Sequence, residues 1–312
     1  MSNPKHYQLI ILGSGPAGCT AAIYAARANL NFAMITGLEQ GGQLTKTDKI
    51  ANWPGEPNEI SGLDLMEKMM KQVRNFSSDI LLDSILKADL SKRPFYLKGD
   101  ADEYSCDALI IATGASAKFL GIPSEQKYMG RGVSACAVCD GFFYKNKNVV
   151  IVGGGNTTAE EALYLAKIAA TVTIIHRRDS MRAEALVIDQ LKKTTNIKFE
   201  LNSFVTEILG DEKGVTGVAI QDVNSNATKT IEAQGVFIAI GYKPNTDVFA
   251  GQLEMEQDYI KTGYGAKTAT SVPGVFAAGD VASGYYHQAV IAAGSGCTAM
   301  HDAKNFLSSL EK

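Results

Sequence analysis

The stretch YQLIILGSGPAG, residues 7–18, decides the fold of this 312-residue chain. Its first half, Tyr7–Leu12, is a short apolar run typical of a buried parallel strand. The glycine-rich turn Gly13–Gly18 follows, and then come a helix-favouring segment, Cys19–Ala28, and another apolar run, Asn31–Ile35. In this order, the glycines let the backbone approach a pyrophosphate that lies at the helix N-terminus. The stretch therefore predicts a dinucleotide-binding βαβ unit.

A second stretch of the chain repeats this order. Val149–Val152 predicts a strand, Gly153–Thr158 a glycine turn, Ala159–Ala169 a helix and Val172–Ile175 the next strand. The third small position of this turn is Thr158 rather than Gly or Ala. Two such units predict two nucleotide sites, and the predicted fold class is α/β with two Rossmann-like dinucleotide-binding domains.

The later apolar segments predict how the two domains are connected. Each unit closes with another strand, Ala108–Ala112 in the first and Val236–Ile240 in the second. The segment Val275–Asp280 and a helix-like tail over 288–310 match neither opening unit, so we assign both to the first domain. The chain is then predicted to form a discontinuous outer domain, with a second domain inserted into it. The expected ranges are 1–117 with 245–312 for the outer domain and 118–244 for the inserted domain.

Composition excludes several classes of protein. Hydrophobic residues make up 46% of the chain and charged residues 20%, which are values of a globular protein. Thirty Lys and Arg against 33 Asp and Glu give a net charge of -3, which disfavours nucleic-acid binding. Neither a signal peptide nor an apolar run long enough to span a membrane is expected. Five cysteines with a single close pair do not form a disulfide framework, which favours a reducing compartment, the cytoplasm.

The ribose-binding position differs between the two units. In the first, Thr36-Gly37 stands where an acidic residue would bind a ribose, so recognition there must depart from the usual pattern. In the second, the strand runs into His176-Arg177-Arg178, with Arg182 close behind. A guanidinium group donates two hydrogen bonds to the oxygens of one phosphate. This cluster therefore favours NADP, which carries a 2′-phosphate, over NAD, which does not. The alternatives are a solvated basic turn and, for His176, a structural role.

The close cysteine pair, Cys136 and Cys139, belongs to the inserted domain. Two thiols at this spacing can close a small disulfide ring, and a helix N-terminus beside them would stabilise a thiolate. Half of a zinc site and two buried thiols are the alternatives, but zinc needs four ligands and no second pair is present, so no metal is expected. Reduction of a disulfide by NADPH usually passes through a flavin. Asp140 is placed either to exchange a proton with a thiol or to cap a turn.

Together these motifs resemble the low-molecular-weight, bacterial-type thioredoxin reductases over essentially the whole chain. The string Cys-x-x-Cys-Asp-Gly-Phe-Phe at residues 136–143 is highly specific. In this family Thr36-Gly37 is a familiar replacement for the ribose acid. The other matching segments are Gly13–Gly18, Gly41–Leu44, Asn52–Gly55, Ala112–Gly114, Gly153–Asn156, His176–Arg178 with Arg182, and Gly274–Asp280.

The resemblance implies FAD in the outer domain, NADPH in the inserted domain, a homodimer, and oxidised thioredoxin as the substrate. Electrons would pass from NADPH through FAD to the Cys136–Cys139 disulfide and on to thioredoxin, with Asp140 as the third catalytic residue. The residues expected at FAD are Gly13, Gly15, Pro16, Ala17, Gly18, Thr36, Gly37, Gly42, Gln43, Leu44, Asn52, Ala112, Thr113, Gly114, Asp280, His287, Gln288 and Ala289. Those expected at NADPH are Gly155, Asn156, Thr157, Glu160, His176, Arg177, Arg178 and Arg182.

Some of these positions carry a more specific expectation. The resemblance places Asp280 at the ribityl chain and Gln288-Ala289 beside the isoalloxazine. The family usually has Arg-Gln-Ala there, and this chain has His287 in place of the arginine. Phe142-Phe143 resembles the aromatic pair on which thioredoxin docks, although adjacent aromatic residues also suit a core. Arg74 and Arg131 resemble positions near that partner surface.

Two other functions stay open from the sequence. The reductase half of a peroxide-detoxifying system resembles this chain, but it carries an extra N-terminal redox domain, which we do not expect because the first strand begins at Tyr7. A flavin-binding interaction protein without turnover would not need Cys136, Cys139 and Asp140. Because disulfide and nicotinamide must both reach one flavin, we also expect the inserted domain to rotate. The expected hinges are residues 115–119 and 242–246.

Overall fold

The structure is a computed structural model that describes residues 4–47, 49–76, 79–284 and 286–310. The extreme ends of the predicted outer domain, residues 1–3 and 311–312, lie outside the described residues. Within these ranges, no helix is both long enough and apolar enough to cross a membrane. The helices are α1 (Pro16–Arg27), α2 (Gly62–Arg74), α3 (Pro123–Lys127), α4 (Ala137–Asp140), α5 (Asn156–Ala166), α6 (Ala185–Lys193) and α7 (Ala289–Leu310).

The first sheet is built around the opening apolar run. Its strands are β1 (Lys5–Leu12), β2 (Phe32–Ile35), β3 (Asp79–Leu81), β4 (Ile85–Asp89), β5 (Phe95–Gly99), β6 (Glu103–Ile111) and β19 (Val275–Ala277). The order is β3-β2-β1-β6-β5-β4, and β19 pairs with the last three residues of β6. Strands β1, β2, β3, β6 and β19 are parallel, whereas β4 and β5 pair antiparallel.

Both faces of this sheet are covered at its centre, which explains why residues 9–12 of β1 and all of β2 are apolar without alternation. Leu9 and Ile11 pack on one face with α1, α2 and α7 residues, while Ile10 and Leu12 pack on the other. Helix α7 packs so closely against α1 that a Cβ on Gly296 would lie 2.1 Å from the carbonyl oxygen of Ala17. The predicted return of the C-terminal segment to the first unit is therefore visible in two elements, β19 and α7.

The second sheet is fully parallel and contains the second glycine turn. Its strands, in the order β11-β10-β9-β15-β8, are β8 (Val133–Ser134), β9 (Asn148–Val152), β10 (Thr171–Ile175), β11 (Ile197–Glu200) and β15 (Gly235–Ile238). Val149 and Ile151 face the helix α5 side, and Val150 and Val152 face the antiparallel strands described next. Two sheets with parallel βαβ units confirm the predicted α/β class with two Rossmann-like units.

The remaining strands cover and connect the two sheets. An antiparallel sheet of β12 (Ser203–Asp211), β13 (Gly214–Asp222) and β14 (Thr228–Glu232) packs on the second sheet. The two crossings between the sheets, β7 (Ala115–Ala117) and β16 (Tyr242–Pro244), pair with each other as an antiparallel ribbon. A short hairpin consists of β17 (Met255–Glu256) and β18 (Tyr259–Ile260). The predicted domain boundaries fall at the ends of the β7–β16 ribbon, and they remain a prediction.

One buried carboxylate holds the loop between β3 and β4 against the turn between β5 and β6. Asp83 is 3% exposed and accepts hydrogen bonds from the Tyr104 hydroxyl at 2.7 Å and from the backbone N–H groups of residues 84, 100, 101 and 102. Burial alone would raise the pKa of Asp83, but the Tyr104 hydroxyl and the backbone donors together lower it below its usual 3.8. The carboxylate therefore stabilises the folded protein when it is ionised.

We predict that Asp83→Asn lowers the free energy of unfolding by about 3 kcal/mol at neutral pH, because an amide cannot accept all of these bonds. The lowered folded pKa means that this contribution is present above the unfolded pKa, about 4, and is lost as the pH falls through the folded pKa. Urea unfolding at several pH values checks this. Asp100→Asn is the control, because its exposed side chain carries the same charge and should change stability by about 0.5 kcal/mol or less. The prediction would be contradicted if the free energies of unfolding of wild type and Asp83→Asn differed by the same amount at every pH.

Candidate active site

A cavity of about 1120 Å³ lies between the two sheets. It is large enough for a dinucleotide, since drug-sized ligands occupy roughly 300–1,000 Å³. It brings together most of the residues predicted at FAD with the three residues predicted to be catalytic. The predicted residues that line it are Gly13, Gly15, Pro16, Ala17, Thr36, Gly37, Gly42, Gln43, Leu44, Ala112, Thr113, Gly114, Cys136, Cys139, Asp140, Asp280, His287, Gln288 and Ala289.

The glycine turn forms one wall of the cavity, and two of its glycines leave no room for a Cβ. Gly13 has a φ of +109°, and a Cβ at this position would lie 2.2 Å from the carbonyl oxygen of Ala112. A Cβ on Gly18 would lie 2.0 Å from the carbonyl oxygen of Gly13, so Gly18 serves the packing of α1 on the turn rather than the cavity wall. Helix α1 starts at Pro16 without a side-chain cap, which leaves its first N–H groups to bind an anion.

The ribose side of the cavity has no carboxylate at the end of β2. Thr36 is buried, and its hydroxyl donates to the backbone carbonyls of Gly37 and Leu81. The carboxylate of Glu39 lines the same cavity three residues further on and pairs with Lys46 at 3.1 Å. We did not predict Glu39, although an acidic residue just beyond the expected position was the signal available. Asn52 does not line the cavity, but its amide donates to Gln288 Oε1 at 3.5 Å.

Cys136 and Cys139 form a disulfide on the opposite wall, with an S–S distance of 2.13 Å. Cys136 caps the short helix α4, and its sulfur accepts the backbone N–H of Cys139 at 3.2 Å. The Gln288 amide, at the start of α7, lies 4.0 Å from the Cys139 sulfur. The disulfide belongs to the second half of the molecule but faces the cavity of the first. The predicted close pair is therefore a disulfide that lines the cavity.

Asp280 lies three residues after β19, in the short turn Gly279–Val281, and lines the cavity. Burial raises the pKa of its carboxyl to about 6. A carboxyl that faces a cavity from such a position is suited to accept hydrogen bonds from hydroxyl groups of a bound polyol.

His287 lies at the cavity edge in a stack of aromatic rings. Its ring centroid is 4.2 Å from that of Tyr242 and 6.2 Å from that of Tyr259. Burial lowers the pKa of His287, although a hydrogen bond with the Ser283 backbone opposes this, so the ring is neutral near pH 7. Its Nε2 is buried and has no hydrogen-bond partner among the described residues. The position that carries an arginine in the resembled family is therefore a neutral ring here.

Tyr242 connects this stack to the disulfide. Its hydroxyl donates to the carbonyl of Ala135 at 2.8 Å, one residue before Cys136. Tyr242 also belongs to β16, one of the two crossings between the sheets. Sequence reasoning placed Tyr242 only in the expected hinge 242–246 and not in the site, because its contacts come from residues that are distant in the chain.

The second glycine turn packs on the end of β10. A Cβ on Gly154 would lie between 2.2 and 2.5 Å from three atoms of the His176 ring, and the Arg182 N–H donates to the Gly154 carbonyl at 2.7 Å. Thr158 fits the third small position, because its hydroxyl donates to the Ala239 carbonyl at 3.0 Å. The predicted turn and the basic cluster are therefore neighbours.

The basic cluster has the features of a phosphate site. Arg177, Arg178 and Arg182 are exposed, whereas His176 is buried. Burial lowers the pKa of His176, and the three arginines lower it further, so it is neutral near pH 7. Its Nε2 is buried and has no partner among the described residues. None of the described residues predicted at NADPH lines the cavity between the sheets.

Known proteins are similar to this chain in both sequence and fold. The family described as pyridine nucleotide-disulphide oxidoreductase matches residues 7–296. Thioredoxin reductase from Vibrio cholerae serotype O1 is 54% identical over all of this chain and all of that protein. The structure of thioredoxin reductase from Streptococcus pyogenes has a TM-score of 0.93, with 36% identity over 98% of this chain and 100% of that one. Lactococcus lactis thioredoxin reductase in the FR conformation has a TM-score of 0.64, with 34% identity over 97% of this chain and 99% of that one.

Proposed function

The chain belongs to the pyridine nucleotide-disulphide oxidoreductase family, and on this basis we propose that it is a thioredoxin-disulfide reductase of the bacterial low-molecular-weight type. The observation that carries the proposal is the Cys136–Cys139 disulfide on the wall of a dinucleotide-sized cavity. The relative from Vibrio cholerae, described as thioredoxin reductase, matches over its full length, which supports the same function. NADPH-dependent reduction of insulin with and without added thioredoxin tests it. Turnover without dependence on thioredoxin would favour the peroxide-detoxifying alternative.

The family implies FAD and NAD(P)H, and the residues present fit both. For FAD, the glycine turn and the uncapped start of α1 line the cavity, and Asp280 lines it from the turn that follows β19. For the second nucleotide, three arginines beside the Gly153–Thr158 turn favour NADPH over NADH. Bound FAD would supply the chemistry that accepts a hydride from the nicotinamide and passes an electron pair to the disulfide. The basic cluster would hold the 2′-phosphate.

The chain's own residues prepare the disulfide for exchange. The N–H of Cys139 already points at the Cys136 sulfur, so it would stabilise a thiolate there. Gln288, from the outer part of the chain, contacts the Cys139 sulfur and keeps it at the cavity. Asp140 lines the same cavity and is proposed to exchange a proton with a thiol.

We propose that thioredoxin docks on Phe142, which is 63% exposed. Phe143 is less accessible, because the Lys49 ammonium lies 5.5 Å from its ring centroid. Arg74 and Arg131 are exposed and would contribute charge near this surface. Here the disulfide faces the cavity, so a protein substrate needs a different arrangement of the two halves.

That requirement supports a rotation of the inserted domain about the β7–β16 ribbon. In the structure described, the disulfide lines the cavity and the basic cluster does not. The two solved reductases have similar identity to this chain, yet their TM-scores are 0.93 and 0.64, as expected if relatives adopt more than one arrangement. Rotation would exchange the disulfide for the nicotinamide at the flavin.

A homodimer is also proposed, on an exposed apolar face at the start of α7. Val290 and Ile291 are each 46% exposed there, and further along α7 the ring of His301 packs on Tyr24 of α1. Apolar side chains grouped on a helix surface suit an interface between copies. Cys19, Cys106 and Cys297 carry free thiols, which agrees with the proposed cytoplasmic location.

We predict that Arg177→Ala with Arg178→Ala raises the KM for NADPH about tenfold and leaves that for NADH nearly unchanged. Only NADPH carries the phosphate, and a charged hydrogen bond contributes about 1.5 kcal/mol or more. Steady-state kinetics with both nucleotides measure this. Lys192→Ala with Lys193→Ala, at the exposed end of α6, is the charge-matched control. Equal damage to both nucleotides would refute the phosphate site.

We predict that Cys136→Ser and Cys139→Ser each bind FAD and are bleached by NADPH but do not reduce thioredoxin, because the flavin site keeps its cradle and only the exchange step is lost. Absorbance spectra and the insulin assay measure the two parts separately. Cys297→Ser, at a free thiol on α7, should retain both. Loss of flavin reduction in either active-site variant would show that the thiols are structural.

We predict that locking the halves separates the partial reactions. Lys49 and Phe143 are in contact across the cavity, so the two cysteines of a Lys49→Cys, Phe143→Cys variant can be joined by a bismaleimide. The variant also carries Cys297→Ser, and its native disulfide is kept oxidised during the reaction. The locked protein should lose flavin reduction by NADPH relative to the same variant before crosslinking, because the nicotinamide cannot reach the flavin. Stopped-flow absorbance measures this. Full turnover in the locked state would disprove the rotation.

A further inference from the structure

A buried carboxyl group lies behind the disulfide and is not used in the mechanism above. Glu161 is on α5, and its Oε1 accepts the backbone N–H of Ala137, the residue after Cys136, at 3.4 Å. Its Oε2 is buried and has no hydrogen-bond partner among the described residues. A buried carboxyl oxygen without a hydrogen-bond partner destabilises the folded protein, so this group needs an explanation beyond packing.

The groups that act on Glu161 are neutral or anionic. On its own helix the neighbour is Glu160, on α4 it is the Ala137 N–H, and from β16 comes Tyr242, whose pKa is raised by burial and by the charges of Glu161 and Asp140. Burial raises the pKa of Glu161 to about 7; the Ala137 N–H opposes this shift, and the charge of Glu160 adds to it. The carboxyl group is therefore able to gain or lose a proton near neutral pH.

Two potential anions share the start of α4. The Cys136 sulfur accepts the Cys139 N–H at 3.2 Å, and Glu161 accepts the Ala137 N–H. A Cys136 thiolate formed on reduction would lie one residue from the N–H that the Glu161 carboxylate accepts. Two like charges so close in a buried setting favour the state in which one of them is protonated.

We propose that Glu161 is a positioning residue that holds one of the two protons accompanying the electron pair, so that thiolate and carboxylate are not present together at the start of α4. The inference rests on the proposed reductase function and deepens it. On reduction, the S–S bond takes two electrons and breaks, one sulfur becomes a thiol, the other a thiolate, and the second proton resides on Glu161. When the pair passes to oxidised thioredoxin, the S–S bond re-forms, and the thiol proton and the Glu161 proton complete the two thiols of the product. Charge is conserved in both steps.

The equilibrium of the disulfide with dithiothreitol tests this in the holoenzyme. Free thiols are trapped by alkylation and counted by mass spectrometry at about pH 7 and about pH 8. In the wild type, reduction takes up two protons and dithiothreitol releases two, so the equilibrium constant should change no more than about twofold. In Glu161→Gln only one proton is taken up, so the constant should rise about tenfold over the same interval.

Two further variants separate proton storage from structure. Glu161→Asp keeps a carboxyl and should restore the wild-type dependence, whereas Glu232→Gln, on the exposed strand β14, removes the same charge elsewhere and should change nothing. Flavin absorbance and melting temperature check that each variant is folded. A tenfold rise in the wild type, or a flat response in Glu161→Gln, would overturn the proposal. Because thioredoxin is absent from this measurement, a failed insulin assay with the expected pH response would contradict only the proposed function.

Discussion

The molecule depends on a series of backbone contacts that only glycine allows. The end of β6 touches Gly13, Gly13 touches Gly18 at the start of α1, and α1 touches Gly296 of α7, each at distances that a Cβ would occupy. This series fixes the first N–H groups of α1 and the start of α7 relative to one sheet. Because Gln288 precedes α7 directly, the same contacts set where the disulfide meets the cavity. A larger side chain at any of the three glycines would move the site as well as the core.

The second half uses the same plan with different chemistry. Gly153 again leaves no room for a Cβ, but its neighbours are a threonine hydroxyl and the carbonyl of Ala239. A histidine ring covers Gly154, and the arginines beyond it remain exposed. The first site is therefore a cavity between the two sheets, and the second is an exposed basic surface.

The features read from sequence are those whose partners are close along the chain. Gly13–Gly18 and Gly153–Thr158 each follow their own strand, and Cys136 and Cys139 are three residues apart, so the α/β class and the disulfide could be predicted. Glu161 and Ala137 are 24 residues apart, and Tyr242 and His287 are 45 apart and meet only through the fold. Neither contact can be recognised in the sequence from hydrophobic periodicity or from a motif with fixed spacing. The return of the C-terminal segment could be predicted only by elimination, since β19 is three residues long and pairs with only the last three residues of β6.

The β7–β16 ribbon has a consequence for how such a chain is assembled. Ala117 and Tyr242 are directly paired, so the inserted portion enters and leaves at one point. The first sheet closes without it, because β6 and β19 pair with each other directly. In the topology of the first sheet, the inserted portion therefore takes the place of a loop with adjacent ends. A gene segment that encodes residues 118–241 could be exchanged for another domain with adjacent ends while every strand of the host sheet keeps its partner.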